Sequence, residues 1–493
     1  MKLTKLSLAM TAVIGMGATA DALALDLYVD TKTQQIYAEP GLGRVKLGAF
    51  ERVEDAAQKA EVDTIKQDLE LKTNELKALE EHVVATREDK AKNDEKWFNK
   101  INMRGYTQMR YNQPLNNNHT PHGEDVSKDT STVVKSPGDS SIGENANFSL
   151  RRARLVFSGD ITDYIAMYIQ TDFASTSGDL HFAQLRDAYF DLSWDKAHEY
   201  RVRAGQSKVP FGWENLQSSQ NRLALDRNDA LNSAVPSERD LGLFAYWSPS
   251  DVQSLWKSLS KKGLKTSGDY GVLGLGIYNG QGTNKAELDD TVYVVAHSTY
   301  PFKLGFMGMP EQVVEVGVDA LSGRFRKNPE PYSYDNSTKT KTPKTADRSN
   351  ENSEDRVGVH AILFPQPFGF QAEWNWGAGP TLNPDENRID RAGLGGGYVQ
   401  AMYKIDEVFG TKGTIIPYVK WQTYDGAWKA AANAPRENVD EVEAGVEYQV
   451  NKALEVTLAY SHMERTNIAS ATSNDFLKMA NGDLIRTQLQ VNY

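Results

Sequence analysis

The chain contains no cysteine among its 493 residues. Disulfides, thiolate nucleophiles and Cys-ligated zinc, haem or iron–sulfur centres are therefore excluded. Downstream of the N-terminus, no apolar run is long enough to form a membrane-crossing helix. Positive charge is in deficit: 55 Lys and Arg against 66 Asp and Glu leave a net charge of −11, which speaks against a nucleic-acid partner. The eight histidines are scattered, and no Ser-His-Asp arrangement stands out, so the composition does not indicate an enzyme and no cofactor is implied. His119 and His122 form an H-x-x-H in a polar loop, without carboxylates at metal-binding spacing. Mean hydropathy is low, at −0.55. That argues against a helical membrane protein but not against a membrane β-barrel, whose lipid face is only every second residue. The 22 Tyr, 9 Trp and 38 Gly suit strands and aromatic girdles.

Phe148–Ala174, FSLRRARLVFSGDITDYIAMYIQTDFA, reads as two strands joined by a tight turn at Gly159-Asp160. Ala153, Leu155 and Phe157 alternate with Arg152, Arg154, Val156 and Ser158, and Ile165, Met167, Ile169 and Phe173 alternate with Tyr168, Gln170 and Asp172. Period-two alternation puts one set on each face of a sheet. In a soluble sheet the apolar face is hidden in a core. In a membrane barrel it faces lipid, and the polar set lines a watery lumen. One hairpin does not separate these readings.

The flanking sequence does. Lys2 and Lys5 precede the apolar run Leu6–Ala18, followed by small-residue cleavage patterns ending at Ala20 and Ala24. Residues 1–24 are read as a secretory signal peptide, cut after Ala24. Residues 25–50 are expected to be an extended leader with a small hairpin. Residues 51–95 are charged and helix-forming, with Val62, Ile65, Leu69, Leu76, Leu79 and Val83 at a and d spacing and Lys72 interrupting one d position. This predicts a periplasmic helix, or a short coiled coil that would make the protein an oligomer.

From residue 101 onward the pattern is strands: 101–112, 148–158, 164–174, 183–193, 200–208, 241–248, 270–278, 291–300, 313–325, 355–364, 368–378, 395–405, 413–424, 439–450, 454–464 and 484–493. The total is even, as a single-chain outer-membrane barrel requires. Connections after even-numbered strands are mostly short and those after odd-numbered strands mostly long. Short periplasmic turns and long outer loops follow the barrel rule if both termini are periplasmic. Linker 249–269 is long for such a turn and is expected to hold a helical turn around Leu255–Leu259. The last strand alternates Ile485, Thr487, Leu489, Val491 and Tyr493 with Arg486, Gln488, Gln490 and Asn492, and ends on an aromatic. The expected fold is therefore all-β: a 16-stranded antiparallel transmembrane barrel in the bacterial outer membrane, contacting its lipid and lipopolysaccharide.

A barrel this wide needs a loop to narrow it. The candidate is 209–240, where Arg222, Arg227 and Arg239 interleave with Asp226, Asp229, Glu238 and Asp240, next to Lys208. Interleaved charge sets an ion preference because pore side chains replace lost hydration. The alternative is a surface loop laced by its own salt bridges. Arg104, Arg110, Arg152 and Arg154 share faces with polar residues and are placed toward the lumen. Arg151 then falls on the outward face and is expected at a headgroup boundary. Asp187 is expected to orient a Lys or Arg of the constriction. Gly395-Gly396-Gly397 is read as thinning a strand, and Asp440, Glu441 and Glu443 as an outer-end site for divalent ions or lipopolysaccharide counter-ions.

The segments RRARLVFSGDIT, GQSKVPFGWENLQSSQNRLALDRNDA, VPSERDLG, IYNGQG, FGFQAEWNWGAGP and GGYVQAMYKI together resemble the phosphate- and polyphosphate-selective porin family, from about Ile101 to Tyr493. The resemblance implies a sixteen-stranded homotrimeric channel whose third outer loop folds inward. Asp187 matches the family's constriction aspartate and Arg227 an arginine in its L-[DE]-R-N stretch. Asn215 and Gln220, beside Ser218 and Ser219, stand where the phosphate-selective members carry lysines, and Arg324 and Arg326 resemble the family's arginine ladder in composition. The implied function is passive diffusion of small hydrophilic solutes, preferring anions such as phosphate or other oxyanions. The alternative is a weakly selective porin that also tethers the outer membrane to the cell wall or a periplasmic partner.

Overall fold

The computed structural model describes residues 25–493 except 51–52, 95, 122–138, 140, 143–144, 178–179, 289, 309–311, 327–331, 336–339, 344–350, 384–387, 411, 431–433 and 468–477. The expected signal peptide and His122 lie outside the described residues, as does the side chain of His119. The chain divides into two compact units, residues 1–95 and 96–493.

In the first unit the leader is a three-stranded antiparallel sheet, Leu25–Asp30 between Ile36–Tyr37 and Arg44–Phe50. An extended leader with a small hairpin is expected here, and the sheet has three strands. The Asp30 carboxylate closes the first turn by accepting the N–H groups of Lys32 and Thr33 at 2.9 and 3.1 Å, and Lys46 pairs with Asp26 across the sheet at 2.6 Å. A helix follows over Val53–Asp94. All six of its heptad residues, Val62, Ile65, Leu69, Leu76, Leu79 and Val83, are exposed.

The second unit is a closed antiparallel barrel of sixteen strands: Asn102–Pro121, Asn147–Thr162, Ile165–Ser177, Leu180–Ser193, Tyr200–Lys208, Arg239–Trp247, Leu273–Tyr278, Tyr293–Lys303, Val313–Arg326, Glu351–Leu363, Phe368–Asn383, Arg388–Tyr403, Gly413–Ala427, Arg436–Gln449, Leu454–Asn467 and Lys478–Asn492. Ile405–Val408 prolongs the twelfth. Each pairs with its sequence neighbour, and the sixteenth closes the ring on the first in a register running from Asn492↔Tyr106 to Lys478↔Pro121. Gly105 and Tyr493 exchange both backbone hydrogen bonds, at 2.6 and 3.0 Å.

The burial pattern is that of a soluble protein turned inside out. Leu275 and Val318 are 63% and 54% exposed, while Arg356 and Glu354 are 2% and 0%. Alternate residues of most strands thus point apolar groups outward and polar or charged groups inward, as a lipid-facing barrel requires, while the sixth to eighth strands turn Phe244, Tyr246, Tyr278 and Tyr293 inward. No described helix is long and apolar enough to cross a membrane.

Alternation fails at two arginines, and the cause is the same at both. The register slips between Gln108 and Met109, leaving Arg151 as the extra residue of a bulge. It slips again between Gln170 and Thr171, leaving Arg186 extra. A bulge re-aims its extra side chain. Arg151 therefore does not sit at a headgroup boundary as expected: its guanidinium lies 3.6 Å from the buried carboxylate of Asp139.

Glu441 and Glu443 do not form an outer-end cation site either. Both point inward and are buried, Glu441 against Arg465 and Glu443 against Arg486, while exposed Asp440 accepts the Trp421 indole N–H at 3.0 Å. Gly395-Gly396-Gly397 lies in the twelfth strand.

Candidate functional site

The fifth strand ends at Lys208 and the sixth begins at Arg239. Between them the chain folds inward, and nearly every residue from Val209 to Glu238 is buried or half-buried, Ser237 excepted. This is the third loop at its end of the barrel. It carries too many backbone polar groups to be buried without partners, and the barrel wall supplies them. The Glu373 carboxylate accepts the N–H groups of Trp213 and Glu214 at 2.6 and 2.7 Å. Asn228 caps the short helix Asp229–Asn232 and donates to Gly397 O at 2.9 Å. Arg356 donates to Ala230 O and Ser233 Oγ at 3.1 and 2.9 Å. Lys420 pairs with Glu214, Arg465 with Asp229, and both Arg110 and Arg486 with Asp226. Apolar packing holds the base of the loop, where Val209, Phe211, Leu231, Ala234 and Val235 pack with Phe244, Tyr278 and Tyr293.

The loop is thus pinned to strands ten through sixteen and the first strand. Toward the second strand it leaves Arg222, whose charged surroundings also include Glu238, Glu214 and Asp226. Arg152 and Arg154 project inward from the second strand and are both 4% exposed. Arg154 pairs with Asp172 at 2.8 Å and reaches Tyr106 Oη at 2.9 Å. Arg152 donates to Gln108 at 2.9 Å, and Arg151, Arg222 and Arg154 are its charged neighbours. Arg222, on the loop, is 6% exposed, and none of its three guanidinium nitrogens has a hydrogen-bond partner among the described residues. A buried guanidinium with five unmet donors is expensive and offers a ready seat for an oxyanion.

The other candidates form the loop's own scaffold. Lys208 donates to the carbonyls of Asn215, Leu216 and Gln217 at 2.8, 3.2 and 2.7 Å and pairs with Glu238 at 2.9 Å, so its ammonium is taken up by the loop. Glu238 also holds Arg227 at 2.8 Å and Arg239 at 3.3 Å. Burial raises the pKa of its carboxyl, but the charges of Arg227, Lys208 and Arg239 outweigh burial and hold it well below the usual range. Asp187 pairs with Arg239 at 2.9 Å. Asn215 braces the loop, donating to Phe211 O and Leu231 O and accepting from Arg227. Gln220 accepts from Gln490 at 3.1 Å through its carbonyl and, with Arg104, Asn221, Glu455, Asn492 and Tyr493, lines a cavity of about 260 Å³. Arg324 and Arg326 sit at the loop end of the ninth strand. Sequence reading missed Arg186, the second bulge arginine, which donates to Ser237 O of the loop at 3.4 Å. A bulge leaves no mark on the residue pattern, so nothing in the sequence pointed to it.

The family model described as phosphate-selective porin O and P matches residues 131–493. No curated protein matches the chain in sequence. Among solved structures, the outer membrane channel DcaP of Acinetobacter baumannii is similar over 80% of this chain and 97% of its own, with 13% identity and a TM-score of 0.45. The OmpF complex of Salmonella typhi with daunomycin gives the same four values. An anion-selective porin from Comamonas acidovorans is similar over 80% of this chain and 99% of its own, with 9% identity and a TM-score of 0.42.

Proposed function

This chain belongs to the phosphate-selective porin O and P family, and from that premise we propose that it is a diffusion channel for small anions, oxyanions such as phosphate among them. It is an outer-membrane porin by family and fold. The observation that carries the anion reading is Arg222, buried on the inward loop without a hydrogen-bond partner and near Arg152 and Arg154. A dehydrating anion exchanges water for forked N–H donors there, while a cation meets like charge. Asp187, Arg227, Arg239 and Lys208 act one layer back, fixing the loop so that the cluster keeps its shape. In the proposed arrangement both termini are periplasmic, three copies assemble, and residues 1–24 are removed on export. The exposed apolar heptads of the helix support its pairing with the helices of other copies as a short coiled coil.

A second reading is favoured by Asn215 and Gln220, the uncharged residues in the places that resemble the family's lysines. It makes the channel weakly selective and gives the exposed helix a tethering role toward the cell wall or a periplasmic partner. Single-channel recording separates the two. In the oxyanion reading, chloride current falls when low millimolar phosphate is added, and Arg222→Ala abolishes the block. An undiminished chloride current would leave the weakly selective reading.

A further inference from the structure

The connection between the sixth and seventh strands, residues 248–272, lies at the turn end of the barrel, yet it is not a turn. It begins with the helix Ser250–Lys261, about 18 Å long at 1.5 Å per residue. Val252, Trp256 and Leu259 on one face, with Leu264 beyond it, pack on Val313, Ile362 and Phe364 of the wall and on Trp213 of the inward loop. The Trp256 indole N–H donates to Glu315 at 2.9 Å. Lys265 then reaches the opposite wall. Its ammonium pairs with Glu447 of the fourteenth strand at 2.8 Å and Glu455 of the fifteenth at 3.0 Å, eight places round the ring from where the segment starts. Four residues later Asp269 binds Arg201 of the fifth strand at 2.8 Å. The segment from Lys265 to Asp269, at most about 14 Å long when extended, therefore links the two walls through the side chains at its ends and those that meet them. On its way it is fastened to the inward loop, with Gln217 Nε2 donating to Lys265 O at 2.8 Å and Asn221 Nδ2 to Thr266 O at 3.5 Å.

We infer that residues 248–272 form a second narrowing element, in series with the inward loop, and that the contacts of Lys265 with Glu447 and Glu455 are the pin that holds it across the mouth. This rests on the porin reading and adds to it a second determinant of solute size. Two narrowings in series add their resistances, so neither alone sets the conductance. The strap also braces the inward loop from the turn side, through Gln217 and Trp213, so that releasing the pin loosens both.

The chain has no native cysteine, which makes a direct test available in the full-length protein. In planar bilayers, Lys265→Ala channels are expected to show higher single-channel conductance and to admit larger polyethylene glycols than the parent, and Lys265→Arg to return both toward parental values. Gln217→Ala/Asn221→Ala removes both hydrogen bonds from the loop to the strap without unpairing Glu447 and Glu455, and is expected to shift the exclusion limit the same way should Lys265→Ala fail to fold. In Lys265→Cys/Glu455→Cys channels, a short bismaleimide bridge should reverse the gain. Parental channels whose variants keep the same conductance and exclusion limit would overturn this inference alone. A parent protein that opens no channels would remove the porin reading as well.

Discussion

Arg239 Nε lies 2.9 and 3.0 Å from the two carboxylate oxygens of Asp187, across the fifth strand that separates theirs. Both side chains are buried. Removing one partner of a buried pair leaves the other charge uncompensated, at about 3–5 kcal/mol. Arg239 keeps a second buried carboxylate, Glu238 at 3.3 Å, so Asp187→Ala is expected to lower barrel stability by less than that amount, read from denaturant or heat unfolding in detergent. Freed from Asp187, Arg239 adds positive potential to the lumen, so surviving channels should be more anion-selective than the parent. Unchanged selectivity would place Arg239 outside the ion path.

Arg222 should behave in the opposite way. It has no hydrogen-bond partner among the described residues to lose, and Glu238, one of the carboxylates near it, keeps Arg227, Lys208 and Arg239, so Arg222→Ala is expected to leave unfolding nearly unchanged. Its effect should appear in transport: a lower anion-to-cation permeability ratio, measured as reversal potential. Loss of stability with selectivity intact would make Arg222 a structural residue.

Glu373 anchors the inward loop through two backbone N–H groups at 2.6 and 2.7 Å and accepts the Tyr398 hydroxyl at 2.8 Å. Glu373→Ala takes away all three acceptor contacts and opens space beneath the loop. The loop is expected to detach from the eleventh strand, giving channels with larger and noisier conductance. Glu373→Gln retains one acceptor oxygen and should fall between.

The helix Val53–Asp94 exposes Leu69, Leu76 and Leu79, positions that a coiled coil would bury. Leu69→Asp/Leu76→Asp is expected to weaken the proposed trimer, observed as a shift toward monomer in light scattering of detergent-solubilised protein, while monomer channels persist. A trimer that is unmoved would assign the helix to a different partner.

Much of the barrel was legible because its signal is local. Leu275 outward and Arg356 inward follow from alternation alone, and each of the sixteen expected strands has its counterpart. The inward loop was legible from the width of a sixteen-strand barrel and from the family resemblance, since its charge content fits a surface loop laced by its own salt bridges equally well; the division of labour within it was not. Lys208 and Arg222 look alike in sequence as cations near the loop, yet one caps three carbonyls and the other has no acceptor. That difference depends on which carbonyls the fold brings near, a non-local property. Arg151 was misplaced and Arg186 overlooked because a bulge shifts parity without any change in residue type. The long turn-end linker was noticed, with a helical turn expected near Leu255. Its reach to Glu447 and Glu455 depends on the ring's closure and is invisible from the residues themselves.

The central claim is that the lumen's exposed preference is set by arginine at the constriction rather than by the acidic charge of the whole chain. The most direct measurement is the reversal potential of purified wild-type channels in a potassium chloride gradient, with phosphate then added. The expected result is a potential of the sign that chloride selectivity gives and a chloride current reduced by phosphate. A potential of the cation-selective sign, with phosphate without effect, would contradict it.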